Sequence, residues 1–114
     1  MDFPRLEIRN SESEDQPFYF VLRSQNNGEV ILTSEMYTTK SDCENGIESV
    51  KNNASDIENY ERKTSKNGEP YFVLKAANGE IIGRSEMYSS EVNRDNGIKA
   101  VQRDGAQVET ELAV

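Results

Sequence analysis

The chain has no histidine, no tryptophan and a single cysteine, Cys43. Without histidine it lacks the commonest general base and transition-metal ligand near neutral pH, and no Ser–His or Cys–His nucleophile pair can be assembled. One thiol cannot supply a zinc site, which takes several Cys or His ligands. It cannot form an internal disulfide either, and so sparing a use of cysteine suits a reducing cytoplasm. There is no Gly-Lys-Ser/Thr phosphate loop and no Gly-x-Gly-x-x-Gly run after a strand. No catalytic residue, metal or cofactor is therefore assigned. Apolar runs are short, Phe18–Leu22 being among the longest, far below the roughly 18 residues of a membrane span. The start, Met1-Asp2-Phe3-Pro4-Arg5, does not read as a secretory signal.

What is present is charge. Of 114 residues 30% are charged, and the formal net charge is −8. It is uneven: residues 1–61 hold 13 acids and 5 bases, residues 62–114 eight of each. An acidic surface repels phosphates, which disfavours nucleic acid and reads first as solubility. The apolar residues, 34% of the chain, cluster in short runs, which argues for one folded domain over 1–114 rather than disorder.

The chain repeats itself. Tyr19-Phe20-Val21-Leu22 matches Tyr71-Phe72-Val73-Leu74, and Asn27-Gly28-Glu29 matches Asn78-Gly79-Glu80 once the first turn is allowed one extra residue. Ser34-Glu35-Met36-Tyr37 matches Ser85-Glu86-Met87-Tyr88, and Asn45-Gly46-Ile47 matches Asn96-Gly97-Ile98. Over residues 19–54, 35 pairs align and 16 are identical. We read a first unit over 5–59 and a second over 60–112, sharing a core that neither could bury alone.

Each unit reads as three strands, a helix and a closing strand. Leu6–Arg9 and Tyr60–Lys63 open the units. Phe18–Ser24 and Pro70–Lys75 follow, with Phe20, Leu22, Phe72 and Leu74 on one face. Asn27-Gly28, Asn78-Gly79 and Asn67-Gly68 mark hairpins, read as tight turns with positive φ at both central residues. Third strands cover Glu29–Thr33 and Glu80–Arg84. Helices span Lys40–Asn53 and Glu91–Asp104, capped by Thr39 and Ser90, with buried stripes Cys43, Gly46, Ile47, Val50, Ala54 and Gly97, Ile98, Val101, Gly105. Arg94 stands where the first unit has Cys43. A helical glycine costs about 1 kcal/mol against alanine, so Gly46 and Gly97 point to close approach of the helix to the sheet or to the other helix. Ile57–Asn59 and Val108–Leu112 read as closing strands.

The Gly79-Glu80-Ile81-Ile82 run, the Ser-Glu-Met-Tyr tetrapeptides and the Cys43–Lys51 segment resemble the YegP-like family of uncharacterised small bacterial proteins, over about residues 5–112. The resemblance implies an α+β fold in which two tandem β-β-β-α-β units form a single antiparallel-rich sheet. The two helices lie on one face, related by a pseudo-two-fold axis, and the C-terminal strands are exchanged between units. The chain departs from the family in Ser11-Glu12-Ser13-Glu14-Asp15 and in Arg94. The family brings no established activity and no catalytic residues to transfer.

The candidate binding residues are Ser34, Glu35, Tyr37 and Asn45, with Ser85, Glu86, Tyr88 and Asn96. Glu35 and Glu86 could act as paired carboxylates, but are expected to bond the backbone of the strand-to-helix connection, well apart from each other. Asn45 and Asn96 are mediocre helix formers and are expected to tie the helix to the preceding loop. Tyr37 and Tyr88 are expected to pack on the helix start. Cys43 lies where a helix dipole favours thiolate, but Asp42 and Glu44 oppose that, and a semi-buried packing role is expected. On the opposite sheet face Tyr19, Val21, Arg23 and Ile31 should lie together, as should Tyr71, Val73, Lys75 and Ile82. The expectation is a cytoplasmic, monomeric, non-enzymatic binding or interaction module for a protein or a small molecule. The alternative is a nucleic-acid-associated protein using the open sheet face. An enzyme comes third, resting on Glu35, Glu86 and Cys43.

Overall fold

The alternation that marks the middle strands is realised in a computed structural model describing residues 5–24, 28–105 and 109–112. Strands β1 (Arg5–Asn10), β2 (Phe18–Arg23) and β3 (Val30–Ser34) lead to helix α1 (Lys40–Asn53). Strands β4 (Tyr60–Thr64), β5 (Pro70–Lys75) and β6 (Ile81–Arg84) lead to helix α2 (Glu91–Gly105), and β7 (Glu109–Leu112) follows. The sheet runs β4-β5-β6-β3-β2-β1-β7. Its first six strands are antiparallel neighbours, and β7 adds in parallel beside β1.

Both helices bury their stripes on one sheet face. Ile47, Val50, Ile98 and Val101 pack into a single cluster with Leu6, Ile8, Phe20, Leu22, Leu32, Phe72 and Leu74. The N-caps hold as expected: Asp42 N–H donates to Thr39 Oγ1 at 3.0 Å, and Asn93 N–H to Ser90 Oγ at 3.1 Å. Where the stripes end, a Cβ on Gly105 would lie 2.6 Å from that of Ala54, so the helices meet there at small residues. Arg94, in the place of Cys43, is buried with its Nε 3.2 Å from the carboxylate of Asp95.

Three expectations are corrected. Ile31 and Ile82 do not face away from the helices. The β2–β3 register shifts between Leu22 and Arg23, and the β5–β6 register between Leu74 and Lys75. Ile31 and Ile82 are the extra residues of these bulges, which turns both into the core cluster. Ile57–Asn59 is a 3-10 turn and not a closing strand. Asp56 caps it, and Tyr60 hydroxyl donates to Ala54 carbonyl at 2.6 Å, so the chain passes from α1 straight into β4. The hairpins at Asn78-Gly79 and Asn67-Gly68 place only the glycine at positive φ, 89° and 83°. Gly79 N–H bonds Ala76 carbonyl, Ala76 N–H bonds Glu80 carbonyl, and Ser65 to Glu69 repeats the pattern. These are type I turns closed by a left-handed glycine, a wider hairpin than a two-residue turn. Asn27 lies outside the described residues.

Phe20 and Phe72 are fully buried beneath the two helices. Phe20→Ala or Phe72→Ala is expected to cost about 3–5 kcal/mol, read as a fall in the denaturant midpoint. A midpoint shift near zero for either would contradict the strand facing.

Candidate functional site

The segment joining the third strand to the helix is built the same way twice. Ser34 Oγ accepts from Phe20 N–H at 2.8 Å and donates to Glu35 carbonyl at 2.7 Å. Ser85 Oγ accepts from Phe72 N–H at 3.0 Å and donates to Glu86 carbonyl at 2.8 Å. The serines, rather than the glutamates beside them, thus satisfy the backbone as the chain leaves the sheet. Tyr37 is then held against β2 by two main-chain bonds with Phe18. Its ring stacks on Phe20 with centroids 6.3 Å apart and planes 10° apart, and Tyr88 stacks on Phe72 with the same values.

These rings explain the helical glycines. A Cβ at Gly46 would stand 2.3 Å from Tyr37 Oη and 3.0 Å from Phe20 Cε2; at Gly97 it would stand 2.2 Å from Tyr88 Oη. The close approach is therefore to a tyrosine wedged between helix and sheet. Burial pushes the Tyr37 hydroxyl up to about 12, helped by Cys43, Glu35, Asp42 and Glu80, and the Tyr88 hydroxyl up to about 12, helped by Glu86 and Glu29. Cys43 is more buried than expected: it lies fully within the core, where burial and then Glu44 push its thiol up to about 11.

Each helix forms a groove with a hairpin of the other half. One groove, of about 430 Å³, is lined by Glu35, Tyr37 and Asn45 against Asn78, Glu80 and Ile82. The other, of about 880 Å³, is lined by Glu86, Tyr88 and Asn96 against Ser24, Glu29 and Ile31, with Lys99 and Arg103 added. Asn45 and Asn96 are exposed on these grooves; among the described residues neither ties its helix to the preceding loop.

A third cleft, of about 920 Å³, opens where β3 meets β6. Thr33 and Arg84, opposite each other across that junction, line it with Gln16, Val30, Met36 and both Glu35 and Glu86. The two carboxylates expected to stand apart thus border one space, and Arg84 reaches to 3.9 Å from Glu35. Arg84, Gln16 and Met36 were missed in the sequence because their meeting depends on which strands adjoin at the centre. Further out on the helix-free face, Glu7 lies between Arg9 (3.0 Å) and Arg23 (3.1 Å). Glu61 lies likewise between Lys63 (3.5 Å) and Lys75. Burial raises the Glu7 carboxyl, yet the bonds from Arg23 and Arg9 hold it below its ordinary value; Lys75 first, then Lys63, does the same for Glu61. Glu7 and Glu61 stand opposite Val21 and Val73 in register, and the stems of these ion-paired side chains account for the burial of both valines on the face without helices.

Among the described residues no cluster of three acidic or cysteine side chains is placed to hold a metal ion, and no helix is long and apolar enough to cross a membrane.

Compared with known proteins, the chain matches the model of the family described as Domain of unknown function (DUF1508) twice, over residues 13–61 and 65–111. It is 52% identical over 95 residues to a UPF0339 protein of Acinetobacter baylyi, covering 83% of this chain and 85% of that protein. It is also 52% identical over 95 residues to the UPF0339 protein YegP of Escherichia coli, covering 83% and 86%. The solution NMR structure of YegP from Escherichia coli superposes with a TM-score of 0.85 at 44% identity, covering 100% of this chain and 97% of that one. That of a UPF0339 protein from Shewanella oneidensis gives 0.82 at 50% identity, covering 96% and 92%. The α+β architecture, an antiparallel sheet with two helices, is common to all three.

Two outcomes follow from the tyrosine wedges. Gly46→Ala is expected to destabilise by about 1–3 kcal/mol through overpacking despite its better helix propensity, with partial recovery in the Gly46→Ala/Tyr37→Phe double variant; a raised melting temperature would sink the explanation. The second concerns alkali. With folded values near 12 against about 10 in the unfolded chain, Tyr37 and Tyr88 stay protonated in the fold after they would ionise in the unfolded state. Their contribution is full below about pH 10 and is lost as pH climbs towards 12. Unfolding midpoints recorded across that window should fall, and the fall should shrink in Tyr37→Phe.

Proposed function

The chain belongs to the DUF1508 family, and on that footing we propose that it is a non-enzymatic binding or interaction module whose ligand sits in the central cleft of the helix-free sheet face. The observation that carries this reading is the convergence of Glu35, Glu86 and Arg84 on one open space at the β3–β6 junction. Its volume falls within the roughly 300–1,000 Å³ of small-molecule sites. A ligand suited to it offers a cationic group to the glutamates and an anionic group to Arg84, with an apolar part against Val30 and the exposed Met36. A polar small molecule or a mixed-charge protein surface meets that description.

The same reading takes the chain as two tandem units, 5–59 and 60–112, related by a pseudo-two-fold axis through the β3–β6 junction, monomeric and cytoplasmic. What supports the two units is the repetition of detail: the serine bonds, the stacked tyrosines, the bulges, the glutamate clamps and the two matches to one family model. A pseudo-two-fold cleft at the junction would receive one side chain of each kind from each unit. Glu35 and Glu86 are such a pair.

A second reading, single-stranded nucleic acid on the same face, is favoured by one observation. Tyr19 lies opposite Arg9, and Tyr71 opposite Lys63, on neighbouring strands, the aromatic-plus-cation pattern of stacking platforms. The glutamate clamps weigh against it, since they spend four cations on two carboxylates.

The test is an amide-resolved NMR titration with metabolite mixtures and short oligonucleotides. Shifts are expected at Thr33–Met36 and Arg84–Glu86, and Arg84→Ala should weaken binding about tenfold through loss of one charged hydrogen bond. Shifts confined to the grooves at Tyr37 and Tyr88 would overturn the cleft assignment. Salt-sensitive shifts at Tyr19 and Tyr71 would transfer the case to nucleic acid.

A further inference from the structure

The central cleft carries different charges at its two ends. Thr33 and Arg84 stand opposite each other on antiparallel strands. Glu35 follows Thr33 by two residues and Glu86 follows Arg84 by two, so the glutamates leave the junction in opposite directions while both still border the cleft. Glu35 also borders the groove at Tyr37, whereas Glu86 and Glu29 border the groove at Tyr88. At about 3.3 Å per residue, the Cα atoms of Glu35 and Glu86 lie about 13 Å apart along the strands.

The repeat supplies the glutamate twice and the cation once. Arg84 corresponds to Thr33, and among the described residues it is the one cation that lines the cleft. Its guanidinium lies 3.9 Å from Glu35, a loose pair whose side chains keep 57% and 43% exposure. One end therefore presents a guanidinium and a carboxylate side by side, both reachable from solvent. The other end presents exposed Glu86, which has no ion-pair partner among the described residues, and Glu29 borders the same space. Lys99 and Arg103 line the groove beyond it, but Arg103 turns to Asp104 at 2.7 Å. Thr33 lies between the two ends, with Val30 on the side of Glu86.

We infer that the cleft takes a free basic α-amino acid of the lysine or arginine kind, with its α-ammonium at Glu35, its carboxylate at Arg84 and its side-chain cation at Glu86. The ligand's two positive charges and one negative are the complement of the three groups. A guanidinium and a carboxylate side by side answer the adjoining carboxylate and ammonium of an α-amino acid with charged hydrogen bonds. A stem of about three to four methylenes carries the second cation along Thr33 and Val30, and the glutamate side chains close the remaining distance from either end. The same arrangement rejects near relatives. A neutral amino acid leaves Glu86 unanswered, an acidic one sets a carboxylate against it, and a diamine leaves Arg84 facing a cation. The inference rests on the cleft reading above and names the class of its ligand.

The experiment titrates L-lysine and L-arginine into the labelled full chain. Saturable shifts are expected at Thr33–Met36 and Arg84–Glu86. Norleucine, which lacks the side-chain ammonium, cadaverine, which lacks the carboxylate, and Nα-acetyl-lysine, which lacks the α-ammonium, should each bind about tenfold more weakly or worse. Glu86→Gln should remove the advantage of lysine over norleucine, and Arg84→Gln its advantage over cadaverine. Both side chains are exposed, so the melting temperature should be retained. Norleucine, cadaverine or L-glutamate binding as tightly as lysine would overturn the inference. Equal affinity for Nα-acetyl-lysine would overturn the assignment to a free amino acid, since the C-terminal lysine of a chain would then serve as well. If neither segment responds to lysine or arginine the inference falls, and the cleft reading survives it wherever another metabolite moves Thr33–Met36. Lysine shifts confined to the grooves at Tyr37 and Tyr88 would remove both.

Discussion

The fold depends on a tyrosine ring wedged between a helix and a sheet. Tyr37 is gripped on one side by Phe20, with near-parallel rings, and on the other by a helix that comes so close that a Cβ at Gly46 would overlap the hydroxyl. A helix normally stands off from a sheet by the length of its side chains. Here the glycine removes that spacer, and the ring becomes the spacer instead. The helix gives up about 1 kcal/mol of propensity and gains a fixed distance from the strand. The Ser34 hydroxyl sets where the chain leaves β3, the bonds to Phe18 place the tyrosine, and the tyrosine sets the helix. Tyr88, Gly97, Phe72 and Ser85 repeat the sequence of constraints. This is why the Ser-Glu-Met-Tyr tetrapeptide and the helical Asn-Gly-Ile recur together: they are two halves of one contact.

Between the halves the constraint is of the opposite kind, since like residues cannot meet there. The position that holds Leu32 in β3 holds Gly83 in β6, where an added Cβ would lie 2.7 Å from Thr33 carbonyl and 3.2 Å from Leu32 Cγ. One leucine fills the space that two would overfill. A similar divergence sits at Cys43 and Arg94. The thiol is closed inside the core, whereas the guanidinium reaches Asp95 at the margin. Repetition at the wedges and divergence at the junction are both packing statements. Neither needs a ligand to explain it, which separates these residues from Glu35, Glu86 and Arg84, whose side chains line open space.

Much of the architecture was legible because it is periodic. The helical stripes, the N-caps Thr39 and Ser90, and the facing of Phe20, Leu22, Phe72 and Leu74 are local patterns with local causes. What was misread shares a different property. Ile31 and Ile82 obey the two-residue alternation until a bulge reverses it, and a bulge is a feature of a strand pair rather than of one strand. Ile57–Asn59 looks like a strand by composition, but the chain from α1 to Tyr60 is too short to form another before β4 begins. The candidate site was legible in the same proportion. The repeat pointed to Glu35 and Glu86, and it could not show that they border one cleft or that Arg84 joins them, because that follows from β3 and β6 adjoining at the centre of the sheet.

The charge of the chain bears on what kind of surface it offers. A net charge of −8 suggests a field that acts at a distance, but on the helix-free face the charges close on each other. Arg9 and Arg23 turn to Glu7, Lys63 and Lys75 turn to Glu61, and their stems cover Val21 and Val73. A face organised in that way has spent its cations on holding its own shape, and has little long-range pull for a phosphate backbone. What it leaves available is short-range and directional: three charged groups around a central cleft. Recognition by such groups depends on fit and on a few local ion pairs rather than on charge density, so its salt dependence is that of those pairs and not of a counterion-laden backbone. That physical difference separates a binding module from a nucleic-acid platform built on the same sheet.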